Sequence, residues 1–217
     1  MTLMAADERG TVSTRASLVA GMQAGVEDRW AEFCQVYGPV IRGFALKAGL
    51  TETEADEVAQ ETSIAVARHV REFRYDPKAC RFKTWLLNQA GWRVKDALRK
   101  RRRWDDRVHR SGPEPGEGSD HGQTATIERV SNSGAEELEK LWDQEWEGGL
   151  FRRALETLRP KLSAKQFQVF DLYVRKEWPV SEVALALGMS VPAVYLMKHR
   201  VAAALKREIA IQKKRWD

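Results

Sequence analysis

The sequence predicts an all-α fold of two helical domains joined by an acidic flexible linker, the C-terminal one carrying a helix-turn-helix. Three observations lead there. Apolar residues recur at three- and four-residue steps through most of the chain, and no stretch alternates with the period of two that a strand shows. Residues 105–147 change composition, with 12 Asp and Glu against 4 Lys and Arg and a run, RSGPEPGEGSDHGQT, of the kind that forms linkers. Residues 180–200, VSEVALALGMSVPAVYLMKHR, read as two short helices around a turn.

Residues 1–24 are small and polar and are expected to form a frayed or partly helical lead-in. From Arg29 a helical period begins. Trp30, Phe33, Cys34, Tyr37 and Ile41 make one apolar face, and Pro39 is expected to kink this helix or to start a new one. In TETE, Thr51 and Glu54 have the spacing of a capping box. In the helix it opens, Val58, Thr62, Ala65, His69 and Phe73 share a face, which makes His69 a core residue rather than a ligand. Glu54 and Asp56 suit the positive end of the helix dipole. Gln60 and Glu61 lie too deep in the helix for that explanation.

The loop RYDPKACRF, residues 74–82, leads into KTWLLNQAGWRVKDALRKRRRW, residues 83–104. Trp85, Leu86, Ala90, Val94, Ala97 and Leu98 form its apolar stripe. The opposite face holds Lys83, Trp92, Arg93, Lys95, Arg99 and Lys100, followed by Arg101, Arg102 and Arg103. Cations interleaved with flat rings suit both phosphates and unstacked bases.

A helix resumes near Ala135 with Leu138, Leu141, Trp142 and Trp146 facing inward, and Gly148 with Gly149 is a candidate hinge. Leu150, Phe151, Ala154, Leu155 and Leu158 continue an apolar face to Arg159-Pro160. Ser163 caps the next helix, whose core residues are Phe167, Phe170, Leu172 and Val174, and Trp178-Pro179 ends it. In the motif at 180–200, Val183, Ala184 and Leu187 stripe the first helix and Gly188 makes the turn. Ser190 caps the second helix, Pro192 lies in its first turn, and Val194 and Met197 point back at the first. The second helix of such a unit enters the DNA major groove. Its exposed positions are Ser190, Val191, Tyr195, Leu196, His199 and Arg200. The helix continues through Val201, Leu205 and Ile209 into a basic tail.

The net charge is +5 with a pI near 9.3. Because residues 105–147 carry −8, the rest of the chain carries +13, in two basic segments on either side of an acidic tether. That distribution favours a polyanionic partner. Cys34 and Cys80 form no CxxC, and the four histidines, His69, His109, His121 and His199, have no ligand spacing. Neither a disulfide framework nor a metal site is expected, and lone cysteines of this kind are expected to be buried. The chain has no Gly-rich phosphate loop with its Lys, no HExxH and no GxSxG, so no catalytic residues, no cofactor and no enzyme activity are expected. No apolar run reaches the ~20 residues of a membrane helix. The start, MTLMAADERG, lacks the apolar core of a secretory signal. The expected location is cytoplasmic, without membrane insertion.

With both basic segments in place, the chain resembles a bacterial RNA polymerase sigma factor of the extracytoplasmic-function type of the sigma-70 family. EADEVAQETSIAVARHVREF resembles the region 2 helix that grips the polymerase clamp. RFKTWLLNQAGWRVKDALRKRRR resembles the promoter-melting and minus-ten-reading part of that region. LSAKQFQVFDLYVRKEWPVSEVALALGMSVPAVYLMKHRVAAALKREI resembles region 4, the minus-thirty-five reader. The resemblance implies a lead-in at 1–24, a region 2 domain at 25–104, the acidic linker at 105–147, and a region 4 domain at 148–213 with its helix-turn-helix at 180–200.

The resemblance also implies site residues. Asp56, Glu57, Gln60 and Glu61 would meet a basic coiled coil of core RNA polymerase. Arg74, Tyr75, Asp76, Lys78 and Lys83 would form the pocket for an unstacked minus-ten base. Trp92 stands where many relatives have Asn, and Arg93, Arg99, Lys100 and Arg103 would hold phosphates. Ser190, Val191, Tyr195, Lys198, His199 and Arg200 would contact the minus-thirty-five element. The implied partners are core RNA polymerase, promoter DNA and a regulator such as an anti-sigma protein; control by transcription of its own gene or by modification stays equally open.

Two other functions compete. In one, the chain is a stand-alone helix-turn-helix repressor with residues 1–104 as a dimerisation or ligand domain. The basic, Trp-bearing helix argues against it, because a dimerisation face should be apolar. In the other, the chain is a helical DNA-processing protein. That function needs a nucleophile or carboxylate cluster, and Asp96 alone does not supply one.

Overall fold

The computed structural model describes residues 14–74, 82–111 and 135–216, and every regular element among them is helical. The chain divides into two compact units, residues 1–147 and residues 148–217.

The first unit is built on α1 (Thr14–Gln23), α2 (Glu27–Lys47), α3 (Glu52–His69) and α4 (Phe82–Ser111), together with the first half of α5 (Ala135–Leu158). Of the expected lead-in, residues 14–23 are helical. In α1, Leu18, Val19 and Met22 are fully buried, and Gln23 Nε2 donates to the carbonyls of Val70 and Phe73, each at 2.8 Å. α2 runs unbroken through Pro39. The lost backbone bond is outweighed by burial on both sides of it, from Phe33, Val36 and Tyr37 to Val40, Ile41 and Phe44. Cys34 is exposed, against the expectation from its position in the apolar stripe. Val36 and Val40 hold the inward positions one step round the helix.

α3 starts at the expected capping box, in which the Thr51 side chain accepts from the Glu54 backbone N–H and the Glu54 carboxylate accepts from the Thr51 N–H. His69, expected in the core, is exposed, with Nδ1 3.8 Å from Glu72 Oε2. The helix ends there, so Val70 and Phe73 take the inward positions instead.

An aromatic chain joins the helices. Phe33 stacks on Tyr37, and Tyr37 stacks on Trp146 with centroids 5.4 Å apart. Phe82 meets Phe33, Tyr37, Phe73 and Trp85. Phe44 meets Trp142 edge-on at 5.5 Å. Trp142 and Trp146 sit in residues 135–147, inside the segment expected to be a linker. They make this part of α5 a core helix of the first unit, because its two indoles are buried while Glu136, Glu139 and Glu147 stay exposed. Residues 105–111 likewise continue α4. Lys47 Nζ pairs with Glu145 at 3.0 Å, and α5 comes so close at Gly43 that a Cβ there would strike the Glu145 carboxylate. α5 is helical through Gly148 and Gly149.

The second unit holds the end of α5, a 3-10 turn at Arg159–Lys161, α6 (Ala164–Val169), a π turn at Phe170–Arg175, α7 (Val180–Leu187) and α8 (Val191–Trp216). Ser163 and Gln166 form a second capping box at the start of α6. One core joins Ala154, Leu158, Phe170, Val201 and Leu205; another joins Val169, Val183, Ala184 and Val194. Val174, expected in the core, is exposed. The π turn inserts an extra residue and rotates the apolar face, so Val169 and Phe170 point inward while Val174 swings out. Gly188 ends α7 at φ 59° and ψ 44°, the left-handed conformation that glycine adopts without strain. α7 and α8 are bent by 99° across that break.

Candidate functional site

On α3, Glu57, Gln60 and Glu61 fall at i, i+3 and i+4, which puts them on one face. All three are exposed, while Ala55, Val58, Thr62 and Ala65 carry the buried face. Asp56 is exposed too but engaged: Arg42 Nε donates to it at 2.6 Å, and Arg42 also reaches Glu52 at 3.3 Å. Asp56 accordingly raises the Arg42 pKa above its ordinary value, chiefly through that hydrogen bond.

α4 carries three different surfaces. Leu86, Ala90, Val94 and Leu98 are buried against the unit. One flank runs beside the acidic face of α3. There, desolvation lowers the Arg93 pKa while the charge of Glu61 opposes the shift. Lys100 is raised, first by its hydrogen bond to Asp96 and also by the charges of Glu61 and Glu57. Residues that the sequence divides between two partners, Glu57 and Glu61 for one and Arg93 and Lys100 for the other, are therefore electrostatic neighbours. Asp96, the carboxylate a DNA-processing reaction would need, is paired with Lys100 at 2.9 Å.

The other flank of α4 is a groove of about 470 Å³. Thr84, Leu87, Asn88, Gly91, Trp92, Lys95 and Arg99 line it in steps of three and four, and Leu138 and Glu139 of α5 close the far side. The Trp92 indole is 79% exposed, and Trp104, one turn beyond Arg101, is exposed as well. Arg103 is exposed on the same side of the helix. Thr84 and Asn88 escaped the sequence reading. Their helical register with Trp92 was the available signal, but only the arrival of α5 turns that line of residues into a groove.

Two basic residues of this segment are committed elsewhere. Lys83 Nζ lies 2.8 Å from Asp143 Oδ1 of α5. Arg101 donates to both carboxylate oxygens of Glu54 and to the Gly49 carbonyl at 2.9 Å, which makes it a structural tie between α3 and α4. Trp85 is partly buried and tilts against Phe73 and Phe82. Arg74 is exposed at the edge of the described residues; Tyr75, Asp76 and Lys78 lie outside them.

In the second unit, Ser190 just before α8 and Val191, Tyr195, Leu196, His199 and Arg200 on its first turns are all exposed. Val194 is buried against α7 and Met197 packs beside it. Tyr195 and Lys198 are not isolated. Tyr195 meets Tyr173 edge-on with centroids 6.1 Å apart, and Lys198 Nζ sits 4.9 Å above the Tyr173 ring. A hydrogen bond with Tyr173 raises the Tyr195 phenol above its ordinary pKa. Tyr173, which the π turn delivers to this spot, is the residue the sequence did not single out. Among the described residues no single helix is long and apolar enough to cross a membrane.

A family model described as Sigma-70 region 2 matches residues 33–104, which run from α2 through the basic stretch of α4. The chain is also similar to the ECF RNA polymerase sigma factor RpoE of Cereibacter sphaeroides, with 34% identity over 94 residues, 42% of this chain and 51% of that protein. It thus spans about half the length of this curated relative. A solved structure of CnrH in complex with the cytosolic domain of CnrY is 20% identical and covers 92% of this chain and 99% of that one, at a TM-score of 0.35, too loose a superposition to bear on the fold. Residues 33–104 thus match the sigma-70 region 2 family, and the chain is similar to a sigma factor of the extracytoplasmic-function type.

Proposed function

We propose that the chain acts as a sigma factor that binds core RNA polymerase, directs it to specific promoters and assists DNA opening without covalent catalysis. The observation that carries this reading lies within residues 33–104. The acidic-amide face of α3 and the cationic, Trp-bearing surface of α4 are both exposed on one packed unit. Glu57, Gln60 and Glu61 suit a basic helical partner. Trp92, Arg99 and Arg103 suit a single strand, in which a ring stacks on a base while guanidinium groups neutralise phosphates. Arg93 and Lys100 would share their charge between DNA and the neighbouring carboxylates. Arg74, Tyr75, Asp76 and Lys78 would complete the minus-ten contact.

Residues 25–104 would then serve as the region 2 domain and residues 148–213 as the region 4 domain, with 105–147 between them. Ser190, Val191, Tyr195, Lys198, His199 and Arg200 would face the minus-thirty-five element in the major groove. The protein would work in the cytoplasm, under control of a partner such as an anti-sigma protein, of its own transcription, or of modification.

Run-off transcription with purified core polymerase on a genomic template library tests the reading. Promoter-directed transcripts that require the protein are expected. Their absence, together with tight palindromic duplex binding in a gel shift without polymerase, would favour the stand-alone repressor instead.

A further inference from the structure

The groove on α4 has a second wall that lies outside residues 33–104. Leu138 and Glu139 of α5 close it opposite Thr84, Asn88, Trp92, Lys95 and Arg99. The wall is fixed in place. Trp142 and Trp146 are buried in the aromatic chain, and the Lys83–Asp143 and Lys47–Glu145 pairs clamp the same stretch of helix. Glu139 is exposed and, among the described residues, makes no ion pair. On this anchored helix a carboxylate lines the same space of about 470 Å³ as two cations and a bare indole. That size is in the range of small-ligand sites, ~300–1,000 Å³.

Each group has a distinct use for one unstacked nucleotide. The Trp92 ring offers a stacking face. Lys95 and Arg99 can hold the flanking phosphates. An ionised carboxylate only accepts hydrogen bonds, so it selects a base edge that presents an amino group. Cytosine, adenine and guanine each present one. Thymine flanks its single N–H with two carbonyl oxygens, which a carboxylate repels.

We propose that the α4–α5 groove takes one unstacked, amino-bearing base of single-stranded DNA, and that Glu139 is its specificity-determining residue. This inference rests on the single-strand contact in the proposed function and assigns a base preference to it.

The test uses the full-length chain in complex with core RNA polymerase. The probes are short fluorescent oligothymidylates carrying no substitution, one cytosine or one adenine. The unmodified protein should bind the cytosine or adenine probe about tenfold more tightly than the all-thymine probe. Glu139→Gln, at an exposed position that leaves the fold intact, should bring the probes within about twofold, because an amide serves thymine as well as cytosine. Glu139→Ala should do the same, and Trp92→Ala should weaken binding of every probe. Equal binding of all probes by the unmodified protein, or a preference that survives both Glu139 variants, would overturn the inference while leaving single-strand binding intact. No binding of any probe would overturn the single-strand contact itself, and the inference with it.

Discussion

Asp56 Oδ1 stands 2.6 Å from Arg42 Nε, so one of the four acidic and amide groups expected to meet a partner is neutralised within the protein. Glu57, Gln60 and Glu61 remain. Reversing Glu57 and Glu61 to Lys should weaken core-polymerase binding by tenfold or more (about 1.4 kcal/mol) while the helical circular dichroism stays unchanged. Asp56→Asn should change binding less than about twofold, since Arg42 already takes its charge. A pull-down titration that ranks Asp56 with the other two would show that the Arg42 pair opens in the complex.

Arg101 and Arg103 lie two residues apart in one basic run and should behave in opposite ways. Arg101→Ala removes hydrogen bonds to Glu54 and to the Gly49 carbonyl, and should cost about 2 kcal/mol in denaturant unfolding. It should leave the salt dependence of DNA binding as it was. Arg103→Ala, at an exposed site, should leave stability within about 0.5 kcal/mol. It should lower the slope of log K against log salt by about 1.

A hydrogen bond with Tyr173 holds the Tyr195 phenol above the ordinary tyrosine pKa. Its neutral form is favoured in the folded protein, so this contribution to stability is fully present below the unfolded pKa and is lost as pH rises through the higher folded value. Ultraviolet titration should find one tyrosine ionising late. Tyr173→Phe should return it toward the ordinary range. A titration unchanged by Tyr173→Phe would mean the two hydroxyls do not meet in solution.

Arg200→Ala should weaken duplex binding by the second unit and lower its salt slope by about 1. Lys198→Ala should have a smaller effect on the slope, because its ammonium already lies over the Tyr173 ring. Equal slopes for Arg200→Ala and the unmodified protein would place Arg200 away from the DNA.

Local signals in the sequence carried much of the fold. Both capping boxes, the left-handed glycine and the exposed positions of α8 follow from residues within four of each other. Tertiary choices were less legible. The helix from Ala135 and its inward Leu138, Leu141, Trp142 and Trp146 were legible from their spacing, but the acidic composition of residues 105–147 hid that this helix packs into the first unit. Arg101 and Lys83 looked like free cations, and their partners lie 47 and 60 residues away. Val174 was misplaced because a π turn leaves no mark in the apolar period until the helix is built. The groove could not be foreseen from α4 alone, since its second wall arrives from beyond residues 112–134.

The Glu54 carboxylate closes the start of α3 and also receives Arg101 from 47 residues further on. These two roles differ in reach. The cap needs only Thr51, three residues away, whereas the tie needs α4. One side chain therefore sets where a helix begins and fastens that helix to a neighbour 47 residues on, so a change at Glu54 would loosen a local and a long-range contact together.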